Sequence, residues 1–538
     1  MTFILLLSLL LTACQSEQTN TPIPASCDYG DLLILFKEFR EFDRPDDSEA
    51  SPDYSAESMK IKYQELNEFQ KRLQAIDPGE WTVSEQIDYH LVRAEMNGLE
   101  FRHRVMRPWA CDPCFYIDEI PGIWRLEYFL TEKPDISELV ADLQSLPDVC
   151  AQAQENLNDL SIVPGDLAIL ANRRLEHILV SIGDLEAETQ DTKLIEQLAA
   201  YRNAIHDYLN WIRENQDKMT ASAGVGKENY NWLLKNVYLF PYTWEDCRRI
   251  VELEDNRVIT FQKLEENRNR HLPMPEHAPT FQAYRDGIYD AVDHIMTFLK
   301  EEEIFTLQDY LVPDDYYASR IEGKGYGEDK PWPEHHDYFF NFSHREPVME
   351  NTHELVGHHF DGLRRRHDDR PIRGVRHPYK VSTGRGEGFA FALEELLMHA
   401  GYLDERPRRS REIAYEQAAF RTVRALADIY MHSGEWSLTD AIEYAVANAP
   451  HGEILDDSPH LWYEMETTLR GVGHHMIMVV GKVQFMKVFR DRAQQLGDDF
   501  VLKEFIDEYL EAGMVPQSLI RWEMTGYEDE VETLLEID

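Results

Sequence analysis

The densest chemistry in the chain lies in the segment Asn351-Thr-His353-Glu354-Leu-Val-Gly-His358-His359-Phe-Asp361. A hydrolytic zinc site needs three protein ligands, an open fourth position for water, and a carboxylate that takes the proton of that water. His353, Glu354 and a second histidine supply most of that set. Of the 21 histidines, fourteen fall between His335 and His475, which concentrates ligand chemistry in one stretch. The spacing departs from His-Glu-x-x-His, whose ligands sit four residues apart and only about 40° around a helix. Position 357 is glycine, and the candidates for the second ligand are His358 and His359, five and six residues after His353. Five residues of regular α-helix would leave His353 and His358 roughly 140° apart, whereas a single π-type turn at Gly357 brings them onto one face. His358 is therefore the expected second ligand and His359 the alternative. A helix carrying solvated or core histidines is the competing reading.

A second segment, Gly386-Glu387-Gly388-Phe-Ala-Phe-Ala-Leu-Glu394-Glu395-Leu, reads as a helix with Glu387 in its first turn. A glutamate on a later helix is how gluzincin peptidases complete their ligand set, so Glu387 is the expected third ligand. The plainer role for Glu387 is a carboxylate favoured at a helix N-terminus by the helix dipole.

Together these segments resemble the domain of unknown function 885 family, bacterial proteins with lipoprotein members that are regarded as gluzincin-like metal-dependent hydrolases. Its hallmarks are His-Glu-x-x-Pro-Gly-His-His, then Glu-Gly-Trp-Ala followed by Glu-Glu-Leu, then Arg-x-x-Arg-x-x-x-Asp-x-x-x-His. In this chain they read His353-Glu-Leu-Val-Gly-His-His359, Glu387-Gly-Phe-Ala-Phe-Ala-Leu-Glu-Glu-Leu396, and Arg421-Thr-Val-Arg424-Ala-Leu-Ala-Asp428-Ile-Tyr-Met-His432. The resemblance continues through Glu466-Thr-Thr-Leu-Arg470, Gly481-Lys482, Gly513-Met-Val-Pro516 and, near the start, Arg107-Pro-Trp-Ala-Cys111-Asp-Pro-Cys114-Phe-Tyr116. Three positions depart from the pattern: the proline of the first motif is missing, Met478 stands where tyrosine is frequent, and Ile506 where histidine is frequent.

The resemblance implies a zinc-dependent hydrolase, peptidase or amidase-like, acting on a peptide or small amide. Glu354 is the expected general base, and His474, His432 and Tyr230 are the candidate donors to the oxyanion. Arg424 and Arg470 are the candidate substrate-binding residues. Arg424, Asp428 and His432 recur at four-residue spacing on one helix face, which also suits a buried ion-pair network joining helices. Between residues 361 and 411, twelve Lys or Arg oppose eight Asp or Glu, a balance of +4 within a chain of -45. That island could clamp a substrate carboxylate or simply balance acidic neighbours. The competing function is a non-catalytic envelope lipoprotein that keeps the fold and binds a ligand or partner. A serine hydrolase finds no Gly-x-Ser-x-Gly support.

The elements that must position these groups are helical. Apolar residues recur at helical spacing in Ile136, Leu139, Val140, Leu143 and Leu146, in Leu194, Leu198, Tyr201 and Ile205, and in a stripe over 410–432, while alternating strand patterns are scarce. The expected fold is all-α, either one large unit or two helical lobes around a central cleft, with an N-terminal lobe over 31–300 and the site-bearing lobe over 301–538. Loops at 312–345 and 367–386, long for a compact chain, are expected to line the site.

The start of the chain carries a different signal. Residues 1–13 form a short apolar leader, and Leu11-Thr-Ala-Cys14 resembles the lipobox of bacterial lipoproteins, with Cys14 lipidated and a polar tether over 14–30. Gln15 after the cysteine points to the outer membrane facing the periplasm, with membrane contact through the lipid anchor only. Five further cysteines, Cys27, Cys111, Cys114, Cys150 and Cys247, leave an odd number for disulfides, and Cys111-Asp-Pro-Cys114 lacks the βαβ context of a redox pair. A net charge of -45 excludes nucleic acid as a partner, since binding phosphates needs a field of the opposite sign.

Overall fold

The computed structural model of the chain describes residues 26–44, 52–127, 135–317, 338–452 and 454–535. Cys14, the leader before it, most of the tether and the centre of the 312–345 loop lie outside these residues. Among the described residues the fold is all-α, and β pairing is limited to two isolated bridges, Ser26 with Ile76 and Pro164 with Ala221. The helical stripes form as their spacing predicts. Leu198, Tyr201 and Ile205 are buried on the helix Thr192–Asn215, and the stripe over 410–432 becomes the helix Ser410–Ser433, closed by Gly434 in the left-handed conformation.

Two apolar cores form, and neither stops at residue 300. One gathers side chains from Leu32 to Phe101, from Tyr230 to Tyr316 and from Val348 to Leu534. The other joins Trp109 to Met219 with Ile413 to Leu469. The two cores thus interleave along the chain. The physical reason is the helix Ser410–Ser433, which is apolar on two faces. It gives Ala418, Ala425 and Ile429 to the first core and Phe420, Val423 and Met431 to the second. With apolar residues on two faces, the helix is buried on both sides, and its charged residues are held there in pairs such as Arg424 with Glu464.

A cavity of about 1340 Å³ lies where the cores meet, lined by Phe101, Leu233 and Tyr238 from the first and by Trp109 and Phe115 from the second. Of the two loops expected at the site, 312–345 contains the short helices Asp314–Tyr317 and Tyr338–Arg345, and 367–386 runs through turns until a helix begins at Thr383.

Candidate metal centre

The residues Thr352–His359 form a π-helix between the α-helices Val348–Asn351 and Phe360–Arg366. Leu355, Val356 and Phe360 are fully buried and fix its apolar side. The wide turn also reflects close packing at Gly357. A Cβ there would fall 2.3 Å from Ala390 Cβ and 2.8 Å from Ala390 Cα, on the helix Thr383–His399. A regular α-helical turn would separate His353 from His358, and the extra residue of the π-turn rotates them together.

The two Nε2 atoms lie 3.0 Å apart, with ring centroids at 4.7 Å and planes at 79°. Glu387 closes the triangle: its carboxylate oxygens are 3.5 Å from His353 Nε2 and 3.5 Å from His358 Nε2. Ligands about 2.0 to 2.1 Å from a tetrahedral zinc stand roughly 3.3 to 3.4 Å from one another, so the three donor atoms are spaced as one small cation requires. His358 and Glu387 keep side-chain exposures of 32% and 25%, which leaves the triangle open on one side for water or substrate.

Glu387 sits in the second turn of its helix, because the helix starts at Thr383 rather than near Gly386. Helix-dipole stabilisation in a first turn therefore does not account for it. The glycines of this region serve close approach: a Cβ on Gly388 would meet Gly481 carbonyl carbon at 2.3 Å, where the helix crosses Met476–Leu496.

Glu394, two turns after Glu387 on the same helix face, accepts the Nδ1–H of His353 at 2.8 Å and a guanidinium N–H of Arg421 at 2.7 Å. This fixes the tautomer that leaves the His353 Nε2 lone pair directed at the triangle. Against burial, Glu387 and Glu394 push the His353 imidazole up to about 9. Against the same burial, the two imidazoles hold the Glu387 carboxyl well below the usual carboxylate range. Sequence reasoning did not assign Glu394 a role, although its seven-residue spacing from Glu387 was available as a signal. Asp361 is also part of the frame: it accepts from Arg364 on its own helix and from Arg385, which joins the helix after the π-turn to the helix of Glu387.

The other candidate residues fall in distinct places. His359 turns away from the triangle, with Nε2 3.3 Å from Val312 O and its ring 5.7 Å from that of Tyr316. Glu354 is half-buried on the π-helix beside His353. His474 lines the large cavity, near enough for Glu387 to influence its titration; burial, Lys380 and His475 together bring its imidazole down to about 3. Tyr230 and His432 are fully buried. The Tyr230 hydroxyl donates to Asp428 at 3.2 Å, and His432 Nε2 donates to Thr468 O at 3.1 Å. Asp428 also accepts the backbone N–H groups of Gly473 and His475 at 3.0 Å each. Their geometry is that of a buried scaffold for the turn that carries His474.

Arg424 pairs with Glu464 at 2.5 Å, and Glu464 in turn contacts His475 Nε2 at 3.1 Å, the buried-network reading of that helix face. Arg470 is engaged by Asp112 at 2.8 Å, Glu466 at 2.9 Å and Asp118. Neither guanidinium is directed at the triangle as a free clamp. The positive island is likewise largely balanced inside the fold: Arg373 binds Asp88 and Glu523, Arg406 binds Glu346 and Asp290, and Arg370 binds Asp368. The cysteines in the described residues are all free thiols, and Cys111 donates to the backbone carbonyls of Met106 and Arg107.

Among the described residues one other group of potential ligands, Glu266, Glu416 and His451, is bound up in ion pairs. His451 holds Glu416 at 2.5 Å, and Glu266 accepts from Gln262 and Lys263. The sequence reading passed over Lys380 as well, which lines the cavity and donates to Gly471 O at 2.8 Å.

Residues 333–524 match the model of the family described as bacterial protein of unknown function, DUF885, so the resemblance carried by the motifs is also found by this match. No curated protein matches the chain. Among solved structures the chain is similar to a candidate lipoprotein of unknown function from Shewanella oneidensis, with a TM-score of 0.68 and 14% identity over 93% of this chain and 100% of the other. It is also similar to a candidate lipoprotein from Colwellia psychrerythraea, with a TM-score of 0.63 and 16% identity over 88% of this chain and 92% of the other. At these identities the likeness is one of fold.

Proposed function

We propose that the chain is a lipid-anchored, zinc-dependent hydrolase of the bacterial envelope, peptidase or amidase-like. The observation that carries this reading is the convergence of His353 Nε2, His358 Nε2 and a Glu387 oxygen within 4.8 Å of one another, with His353 oriented by Glu394. Zinc held there would lower the pKa of water to about 7 and polarise an amide carbonyl. The protein's own groups do the rest. Glu394 and Arg421 keep His353 in the ligating tautomer. Glu354, next to His353 in the chain, takes the proton of the attacking water and returns it to the leaving amine. His474, on the turn built around Asp428, would donate to the developing oxyanion.

Anchoring is supported by the Leu11-Thr-Ala-Cys14 tetrad and by the fold shared with two candidate lipoproteins. No helix among the described residues is long and apolar enough to cross a membrane. Placement at the outer membrane, facing the periplasm, rests on Gln15.

Glu354→Gln tests the mechanism. It is expected to keep the fold and one zinc per chain while slowing amine release from a random tripeptide pool by about a hundredfold or more. Loss of zinc together with activity would make Glu354 a ligand and overturn its role as base.

A further inference from the structure

Of the cations that line the large cavity among the described residues, Arg44, Lys62 and Arg102 are exposed, and Lys380 is the one withdrawn from solvent without a carboxylate partner. Arg470 is held by three acidic partners, and Arg102 lies over the ring of Phe115 at 5.8 Å. Lys380 instead spends one N–H on the carbonyl of Gly471 and, among the described residues, has no carboxylate within ion-pair distance. Its ammonium therefore keeps two donors for the cavity it lines. An ammonium withdrawn from bulk water without a carboxylate partner is costly and needs a compensating role.

Its placement is built in three ways. Tyr379 and Lys380 both hold left-handed backbone, with φ of 56° and 61°, a strain that side chains other than glycine sustain only where their surroundings impose it. The Tyr379 hydroxyl is anchored on Asp43 at 2.7 Å, and the Tyr379 side chain packs where a Cβ on Gly98 would come within 2.3 Å of it. Gly471 makes room for the ammonium itself, because a Cβ there would stand 2.5 Å from Lys380 Nζ. Burial brings the amine down to about 8, which leaves it mostly protonated at neutral pH, and Glu387 is among the charges it feels. The cation thus shares with His474 the wall of an aromatic cavity of about 1340 Å³. That exceeds the roughly 300 to 1,000 Å³ of small-molecule pockets and leaves room for a peptide of a few residues.

We propose that Lys380 receives the free C-terminal carboxylate of a short peptide substrate, so that the enzyme acts as a carboxy-exopeptidase rather than on internal bonds. This rests on the hydrolase reading above. The assignment is tested by offering tripeptide pools, as C-terminal acids and as C-terminal amides, to the zinc-loaded chain and to Lys380→Met and Lys380→Arg. Consumption is followed by mass spectrometry. The same pools are passed over immobilised metal-free protein, so that binding is read apart from turnover. The parent chain is expected to consume and retain acids about ten- to a hundredfold in preference to amides, the range of a charge-assisted hydrogen bond. Lys380→Met should keep its zinc and lose the preference, and Lys380→Arg should keep part of it. Equal handling of acids and amides by the parent, or an undiminished preference in folded Lys380→Met, overturns the proposal. So does a preference for amides bearing Asp or Glu, which would assign the cation to a side-chain carboxylate. No consumption of either form by zinc-loaded protein would sink the hydrolase reading and the exopeptidase with it, and the retention arm would show whether carboxylate recognition survives.

Discussion

At Gly357 the π-helix packs tightly on the glutamate helix, so Gly357→Ala tests how the centre is assembled. The added Cβ would fall 2.3 Å from Ala390 Cβ, whereas carbon atoms in contact prefer about 3.5 to 4.0 Å. Relief requires a separation of roughly 1.2 Å or more, and the second short distance, 2.8 Å to Ala390 Cα, involves backbone that cannot rotate aside. Overpacking of this kind costs about 1 to 3 kcal/mol. The helices being separated carry His353 and His358 on one side and Glu387 on the other, and zinc tolerates only about 0.2 Å of error in its bond lengths. Zinc affinity is therefore expected to fall by more than about a hundredfold, beyond the effect of a typical supporting residue. The matched control is Gly362→Ala, where a Cβ meets nothing within 4 Å and helix propensity predicts a gain of about 0.5 to 1 kcal/mol. Thermal denaturation of the metal-free proteins and zinc competition against a chromogenic chelator read both effects. If Gly357→Ala matched Gly362→Ala in stability and zinc affinity, the reasoning about this contact would be refuted.

Glu394→Gln should fold and bind zinc about ten- to a hundredfold more weakly, because its amide can no longer enforce the His353 tautomer; an unchanged affinity in chelator competition would deny Glu394 that role. Since the carboxylates around His353 push its pKa up to about 9, the metal-free protein holds a proton there at pH 7 that zinc must displace. Calorimetric titration in buffers of different ionisation enthalpy should then show about one proton released per zinc from this group at pH 7, falling away above pH 9; heats independent of buffer would contradict it. His90 is buried neutral with its pKa lowered to about 3 by burial and by Arg93. The unfolded chain gains a proton below about pH 6.5 that the folded chain refuses until near pH 3, so His90 makes stability fall over that window. His90→Gln, compared with the parent by denaturant unfolding from pH 7 to 4, should flatten the decline, and an equally steep decline would rule His90 out as its source. Cys14→Ala should convert a membrane-associated product into an unlipidated one that leaves the membrane fraction in a high-salt wash; fractionation identical to the parent would contradict anchoring at Cys14.

How much of this was legible in the sequence depended on how local each signal was. Helical periodicity predicted an all-α fold, because burying one face needs only the neighbours three and four residues away. The π-turn was legible because glycine interrupts the histidine spacing and only a widened turn aligns His353 with His358. The distant partners of long side chains were not legible. The sequence left Arg424 open between a clamp and a buried network and read Arg470 as a clamp, and their partners are remote: Glu464 lies 40 residues from Arg424 and Asp112 lies 358 residues from Arg470. No spacing rule links such pairs. That the helix Ser410–Ser433 presents two apolar faces to two different cores was hidden for a related reason, since a single stripe read from sequence does not reveal the second. Lys380 was hidden inside the arginine-rich island, where only structure shows which cations have carboxylate partners and which do not.

The central claim, one zinc held by His353, His358 and Glu387, is tested most directly by elemental analysis of the purified chain beside His353→Ala, His358→Ala, Glu387→Ala and His359→Ala, each checked for native helicity. The account predicts about one zinc per parent chain, none in the first three variants and a retained, weaker site in His359→Ala. A folded parent that takes up no stoichiometric metal, or one whose metal survives loss of His358 and disappears with His359, would contradict it.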